Sequence, residues 1–285
     1  MPIDAAQAVA AEPRTTRLAW DHKDVQLYHL GIGAGVPATD PAELRYTLES
    51  RLQVLPSFAT VAGGGMALAG GLGAPGIDVD LAGVLHGGQR IEVHRPLPVR
   101  GSATHTSRVT AVHDKGKAAV VVLRSDVTDD GGPLWSSESE IYVKGEGGFG
   151  GERGTSTRLD LPDGPPSHTV DRAVREDQAL LYRLSGDWNP LHADPDFAAR
   201  AGFDRPILHG LCSYGMALKA VVDTVLGGDA GRVRSYATRF AGVVYPGETL
   251  RVRMWGGGPG RVQLSVTVVE RGDAVVLADT VVTHT

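Results

Sequence analysis

The sequence predicts an α+β protein made twice over from one unit, a buried helix wrapped by an antiparallel sheet. Three observations predict it. From about His209 to Val225, Leu211, Gly215, Leu218, Val222 and Val225 recur at helical spacing, and the other faces are also apolar or small. A helix that is apolar nearly all round is a buried one. Strand patterns follow it. TLRVRMW sets Leu250, Val252 and Met254 against Arg251, Arg253 and Trp255, and RVQLSVTV sets Val262, Leu264, Val266 and Val268 against polar partners. Each reads as a strand with one buried face, and GGGPG at 256–260 is the turn between them. The first half repeats this order, and pairing the two halves protects their sheet edges.

The elements follow in chain order. The opening residues MPIDAAQAVAAEPR carry a mild apolar run with no basic stretch ahead of it, which speaks against a secretory signal. Between Arg51 and Asp78 the chain has no charge, but two prolines, a glutamine and many glycines leave too little large apolar surface for a membrane span. A cytoplasmic protein is expected. In the repeat, this glycine-rich stretch stands where the first half's buried helix belongs. Strand-like runs follow at QRIEVHRPL, SATHTSRVTAV, KAAVVVLRSDV and SSESEIYV.

GEGGFGGERG at 145–154 and LPDGPPS at 161–167 then read as an irregular crossing. The division is residues 1–150 as an N-terminal repeat, 151–168 as a Gly/Pro-rich linker and 169–285 as a C-terminal repeat. DPDFAARAGF at 194–203 reads as a short helix, with Asp at its start and Gly202 near its end.

Composition bounds the function. The 285 residues include 28 Lys plus Arg against 33 Asp plus Glu, a net charge of −5. That balance excludes a general nucleic-acid binder and offers no basic face to an anionic membrane. One cysteine excludes an internal disulfide framework and a CxxC zinc site. Glycine is in excess, 38 of 285, against a usual share of about 7%.

The chemistry concentrates in YRLSGDWNPLHADPDFAARAGFDRPILHGLCSYGM, Tyr182 to Met216. Pro190 disfavours helical geometry at Asn189, so Asp187 and His192 converge across a turn rather than along a helix face. A carboxylate and an imidazole sharing one water form an acid–base pair near neutral pH. The unpaired N–H groups at the start of the 209–225 helix can receive a developing oxyanion. Asp-x-Asn-Pro is equally a plain turn sequence. A metal site from Asp187, His192, Asp194 or His209 is the weaker rival, because no zinc-type spacing appears.

YRLSGDWNPLH followed by DRPILHGLCSYG resembles the hydratase 2 motif of the MaoC-like, (R)-specific enoyl-CoA hydratases. YHLGIGAG, VLPSFATV, VLHGGQ, DKGK, GGFGG and RFAGVVYPGETL extend the resemblance from about residue 25 to 255. It implies the two-repeat, double hot-dog type. It implies Asp187 and His192 as the catalytic pair, Asn189 helping to hold the water, and the Gly210 N–H serving the thioester oxyanion. By the same match His86, Gly87, Lys115, Trp188, Pro190, Leu191 and Phe240 line the acyl-CoA site. Both halves then build one site, and only the second carries the catalytic motif. Some relatives place a functional glutamate before the LPxF segment; Glu49 is the nearest acid here, but its spacing does not align and it is not carried over.

Other signals weigh less. GIGAG at 31–35 looks like a dinucleotide loop without the strand–helix unit that would make it one. Cys212 reads as a small core residue. His22, His29, His94, His105 and His113 read as surface or strand positions, and Arg251 with Arg253 as a solvated strand face. The expected protein is a reversible hydratase acting on an acyl-CoA or acyl-ACP thioester, without metal or redox cofactor, and a homodimer. The alternatives are an acyl-carrier-protein dehydratase, a non-catalytic thioester-binding module and a hot-dog thioesterase.

Overall fold

A computed structural model of the chain describes residues 3–64, 73–79, 83–155, 158–256 and 260–285. Its strands are β1 (Arg14–Trp20), β2 (Val84–Val93), β3 (Gly101–Asp114), β4 (Ala118–Asp129), β5 (Gly132–Lys144), β6 (His168–Ala173), β7 (Val233–Phe240), β8 (Thr249–Gly256), β9 (Arg261–Val268) and β10 (Ala274–His284). They form one ten-stranded sheet in the order β1-β3-β4-β5-β2-β7-β10-β9-β8-β6. All neighbouring strands pair antiparallel. Outward from the central β2–β7 pair, β5, β4, β3 and β1 on one side answer β10, β9, β8 and β6 on the other. The two halves therefore repeat one topology and share one sheet, closing each other's inner edges. This is the double hot-dog arrangement.

The helices are α1 (Ala5–Ala10), α2 (His22–Gly31), α3 (Pro41–Thr47), α4 (Gln178–Tyr182), α5 (Pro195–Arg200) and α6 (Gly210–Thr224). In α6 every residue from Leu211 to Val222 is buried, as its all-round apolar pattern predicts. Gly215 lets α2 approach, since a Cβ there would lie 2.5 Å from the Tyr28 hydroxyl and 2.7 Å from Ile32. Cys212 is fully buried beneath the Gly31 carbonyl, and desolvation pushes its thiol pKa up, as befits a core residue. Among the described residues no helix is long and apolar enough to cross a membrane.

Several expectations change. The uncharged stretch of the first half includes a buried 3-10 turn, Pro56–Thr60, and a further turn to Gly64; residues 65–72, the heart of the glycine-rich stretch where the first buried helix is expected, lie outside the described residues. Of the GGGPG turn, 257–259 also lie outside them.

His29 is neither surface nor strand. It is fully buried in α2, with Nδ1–H donating to the Tyr46 carbonyl at 2.8 Å and Nε2 accepting from Leu55 N–H at 3.2 Å. GIGAG is the C-terminal turn of α2, with Gly33 and Gly35 at φ 82° and 85°. Arg251 and Arg253 are ion-paired, to Asp171 at 2.8 Å and Asp273 at 2.7 Å.

The glycine-rich crossing has a physical anchor that the sequence did not disclose. The Asp114 carboxylate, at the end of β3, accepts the N–H groups of Gly116, Gly148 and Gly150 at 2.7, 2.8 and 2.7 Å. These backbone bonds hold its pKa below the usual carboxylate value. Between Lys144 and His168 the described residues form neither helix nor strand.

Candidate active site

The hydratase-like segment folds as a chain of short, capped turns. After α4, a 3-10 turn at Arg183–Ser185 stops at Gly186, which takes φ 116°, a left-handed value that suits glycine. Asp187 follows, and its Oδ1 accepts the Asn189 N–H at 3.2 Å. Asn189 has φ −54° and ψ 122°, the extended geometry expected before proline, and its Oδ1 accepts the Leu191 N–H at 3.0 Å. It thereby caps a second 3-10 turn, Pro190–His192. Asp194 caps α5 through the N–H groups of Asp196 and Phe197. The turn reading of Asp-x-Asn-Pro is thus correct for the backbone, and the same turn is what delivers Asp187 and His192 to one place.

One donor atom each from Asp187, His192 and His209 lie within 4.8 Å of one another. His192 is 9% exposed, and its Nδ1 is 2.8 Å from the Ile207 carbonyl. A carbonyl only accepts, so Nδ1 carries the proton and Nε2 keeps its lone pair. Burial lowers the His192 pKa, while the Asp187 carboxylate pulls it back up. His209 lies against it, with ring centroids 3.7 Å apart and planes inclined by 29°. Two in-plane lone pairs on rings so stacked do not converge on one ion at the Zn–N distance of about 2.0–2.1 Å. Asp194 is spent on its cap, outside this group.

Beside the pair, α6 begins. Cys212 and Ser213 N–H groups turn back to the His209 carbonyl, which leaves Gly210 and Leu211 among the first-turn donors with no intrahelical acceptor. In front lies a cleft of about 850 Å³. Apolar side chains such as Leu85, Ile141, Phe197, Leu211, Val243 and Leu277 form much of its wall, and Asp187, Asn189, His192, Gly210 and Ser213 supply polar groups. The wall takes residues from both halves.

Of the other expected residues, His86, Pro190, Leu191 and Phe240 line this cleft. The His86 and Phe240 rings meet at 4.8 Å where β2 and β7 join the two halves. His86 Nε2–H donates to the Gly88 carbonyl at 3.0 Å, and burial lowers its pKa. Gly87 is the extra residue of a bulge in β2, which shifts the register between His86 and Gly88. It is not part of the cleft wall.

Trp188 is 57% exposed, under the Arg183 guanidinium at 5.0 Å, and lies outside the wall. Lys115 also lies apart, in the β3–β4 turn, where its ammonium donates to the Arg153 carbonyl. The DKGK and GGFGG segments thus meet each other through Asp114 and Lys115. Glu49 is exposed in the 3-10 turn Glu49–Arg51. Ser213 entered the site without being singled out for it, and His209 was named only as a candidate metal ligand, although it immediately precedes the helix that Gly210 opens.

Comparison with known proteins agrees with this architecture. Residues 18–145 match the MFE-2 hydratase 2 N-terminal domain, and residues 158–277 match the MaoC like domain. The chain is 49% identical to an enoyl-CoA hydratase of Mycobacterium tuberculosis, over 98% of each chain. It is 39% identical to the peroxisomal enoyl-CoA hydratase 2 of Arabidopsis thaliana, over 92% of this chain and 89% of that one. A solved MaoC-like dehydratase from Phytophthora capsici superposes with a TM-score of 0.89 at 30% identity, covering 99% of this chain and 98% of that chain. With its ten strands divided five and five between two matched domains, the chain belongs to the MaoC-like hydratase 2 family, in the two-repeat form.

Proposed function

We propose that the chain catalyses reversible hydration of trans-2-enoyl-CoA to (3R)-3-hydroxyacyl-CoA. The observation that carries this reading is the meeting of the Asp187 carboxylate and the His192 imidazole at one end of an apolar cleft, beside the open first turn of α6. The pair binds one water and takes a proton from it as the oxygen adds to C3. The C2=C3 π electrons shift toward the thioester, and the Gly210 N–H receives the enolate oxygen. A proton held by the pair then returns to C2. The two sites share one proton inventory, so the roles of acid and base belong to the pair. In this reading the Asn189 amide helps to hold the water.

Water addition to a polarised enoyl thioester changes no oxidation state, so this mechanism calls on no redox cofactor, and the stacked His192 and His209 are poorly arranged for a metal. His86, Pro190, Leu191 and Phe240 shape the acyl channel in this reading, with Gly87, Lys115 and Trp188 as outlying contacts for the carrier. A homodimer is supported by exposed large apolar side chains near the α2–α4 contact: Leu30 of α2, Leu180 of α4, and Leu184 and Trp188 in the segment that follows α4, at 37%, 53%, 47% and 57% exposure. A cytoplasmic location rests on composition.

The test is hydration of crotonyl-CoA and longer enoyl-CoAs with chiral analysis of the product, beside the same acyl group on an acyl carrier protein. Asp187→Asn and His192→Ala should each lose at least about 100-fold in rate with the fold intact. Near-normal hydration by Asp187→Asn would overturn the mechanism.

A further inference from the structure

His209 is the N-cap of α6, yet its side chain makes no cap bond to that helix. The ring turns instead toward the motif turn and is 1% exposed. Its Nε2 lies 3.2 Å from the Asp187 carbonyl, one face stacks on His192, and Tyr182 of α4 packs at 4.9 Å. The carbonyl can only accept, so Nε2 carries the hydrogen and Nδ1 is left as a lone pair. That Nδ1 is buried without a partner among the described residues. An orphaned buried acceptor costs stability, and a phenylalanine of similar shape would avoid the cost while keeping both ring contacts. Packing alone therefore does not account for a histidine here, whereas the donor to Asp187 does.

We propose that His209 is a positioning residue for hydration, its Nε2–H fixing the main chain of Asp187 while its ring fixes the face of His192. The assignment rests on the acid–base reading above and extends it to a group that touches neither water nor substrate. Asp187 stands on a turn just after left-handed Gly186, where the chain is otherwise held locally by an Asx bond. One side chain that grips both members couples their separation to a buried ring. The ring must be uncharged to do so, because a cation would face His192 at 3.7 Å as that residue takes up a proton. Burial and His192 both lower the His209 pKa well below its ordinary value. The charged and titratable groups around it are Asp187, Arg183, His192 and Tyr182. A proton-relay role for Nδ1 is not needed, since the proton taken from water returns to C2.

The experiment compares His209→Phe, which keeps the ring and loses the donor, with His209→Gln, which keeps a donor and loses the ring. Asp187→Asn is assayed alongside on the full chain. His209→Phe is expected to lower kcat by about 10- to 100-fold, the usual cost of about 1 Å of misplacement. KM should change by less than about 3-fold. The His192 titration, followed by ring-nitrogen NMR, should shift to lower pH as the Asp187 carboxylate loosens. His209→Gln should regain at least about 5-fold in kcat relative to His209→Phe.

Wild-type kcat in His209→Phe, with Asp187→Asn inactive, overturns the His209 assignment alone. Equal losses in both variants with an unmoved His192 titration also overturn it. Should His209→Phe not fold, His209→Gln against His209→Ala decides: equal loss overturns, a clear advantage of Gln supports. Full activity in Asp187→Asn removes the acid–base reading and this assignment with it.

Discussion

Gly210 and Phe240 meet so closely that a Cβ on Gly210 would lie 3.0 Å from both Cδ1 and Cε1 of the ring. The His86 ring also packs against Phe240, with centroids 4.8 Å apart, which restricts how far Phe240 can yield. Alanine at a first-turn helix position is favourable in itself, by up to about 1 kcal/mol over glycine. Gly210→Ala should therefore leave thermal stability nearly unchanged. It should lower kcat/KM for enoyl-CoA by about 10-fold, by moving the ring or the N–H proposed to receive the thioester oxygen. Unchanged kcat/KM would show that neither the ring position nor the N–H matters.

The pH dependence of hydration follows from His192. Its ordinary pKa is 6.5, and burial lowers it despite Asp187. In the working form proposed above, the pair binds one water between a carboxylate and a neutral imidazole, and activity is then expected to fall as pH drops through the His192 pKa. The acid limb of kcat/KM is expected to have its midpoint below pH 6.5, with an undiminished rate near neutrality. A midpoint at or above 6.5 would mean that the buried neutral imidazole is not the working form.

Legibility in the sequence followed locality. Helix α6 and strands β8 and β9 announce themselves because their apolar residues recur at one period, although β9 is buried on both faces from Val262 to Val268 rather than on the one face expected. Helix α2 does not: only Val25, Tyr28, His29 and Gly31 of its ten residues are buried, and charged residues dilute the pattern. That Asp187, His192 and Gly210 would share one candidate site was readable because they lie in one contiguous stretch; all three line the same cleft. His86 and Phe240 required the family resemblance, since they meet only where the two halves pair. Asp114 was invisible because its partners come from Gly116, Gly148 and Gly150. His29 was misread for the same reason: nothing near it in sequence shows that Tyr46 and Leu55 will occupy both ring nitrogens.

That histidine makes folding stability acid-sensitive. Burial lowers the His29 pKa from 6.5 to about 4, and its Nε2 must stay unprotonated to accept the Leu55 N–H. A depressed imidazole pKa means that the unfolded chain binds the extra proton between those two values. The stability is therefore full above pH 6.5 and is lost as pH falls toward 4. At pH 5 this one group costs on the order of 2 kcal/mol relative to pH 8. Urea midpoints measured from pH 8 to 5 should decline, and His29→Gln should flatten that decline while lowering stability throughout. An identical slope in the variant would clear His29.

The firmest side-chain tie between the halves is also a test of buried charge. Lys219 of α6, with 5% of its side chain exposed, donates to Glu43 at 2.7 Å and Asp223 at 2.8 Å. Its ammonium sits 4.8 Å from the centre of the Tyr46 ring, and the Tyr46 hydroxyl donates to Asp223 at 2.6 Å. Glu43 depends on this ammonium in a mostly dry pocket, and Asp223 shares it with Arg172 at 3.9 Å. Lys219→Met keeps the aliphatic stem but leaves Glu43 without its cation and Asp223 with only the more distant Arg172, and breaking a fully buried pair costs about 3–5 kcal/mol. Glu43 and Asp223 keep 13% and 22% of their side-chain exposure, so water recovers part of that. The expected loss in urea denaturation is about 2–3 kcal/mol. The triple variant Lys219→Met, Glu43→Gln, Asp223→Asn removes the stranded charges and should regain more than half of it. If the triple variant is no more stable than Lys219→Met, packing of the lysine stem rather than unpaired charge is what the site loses.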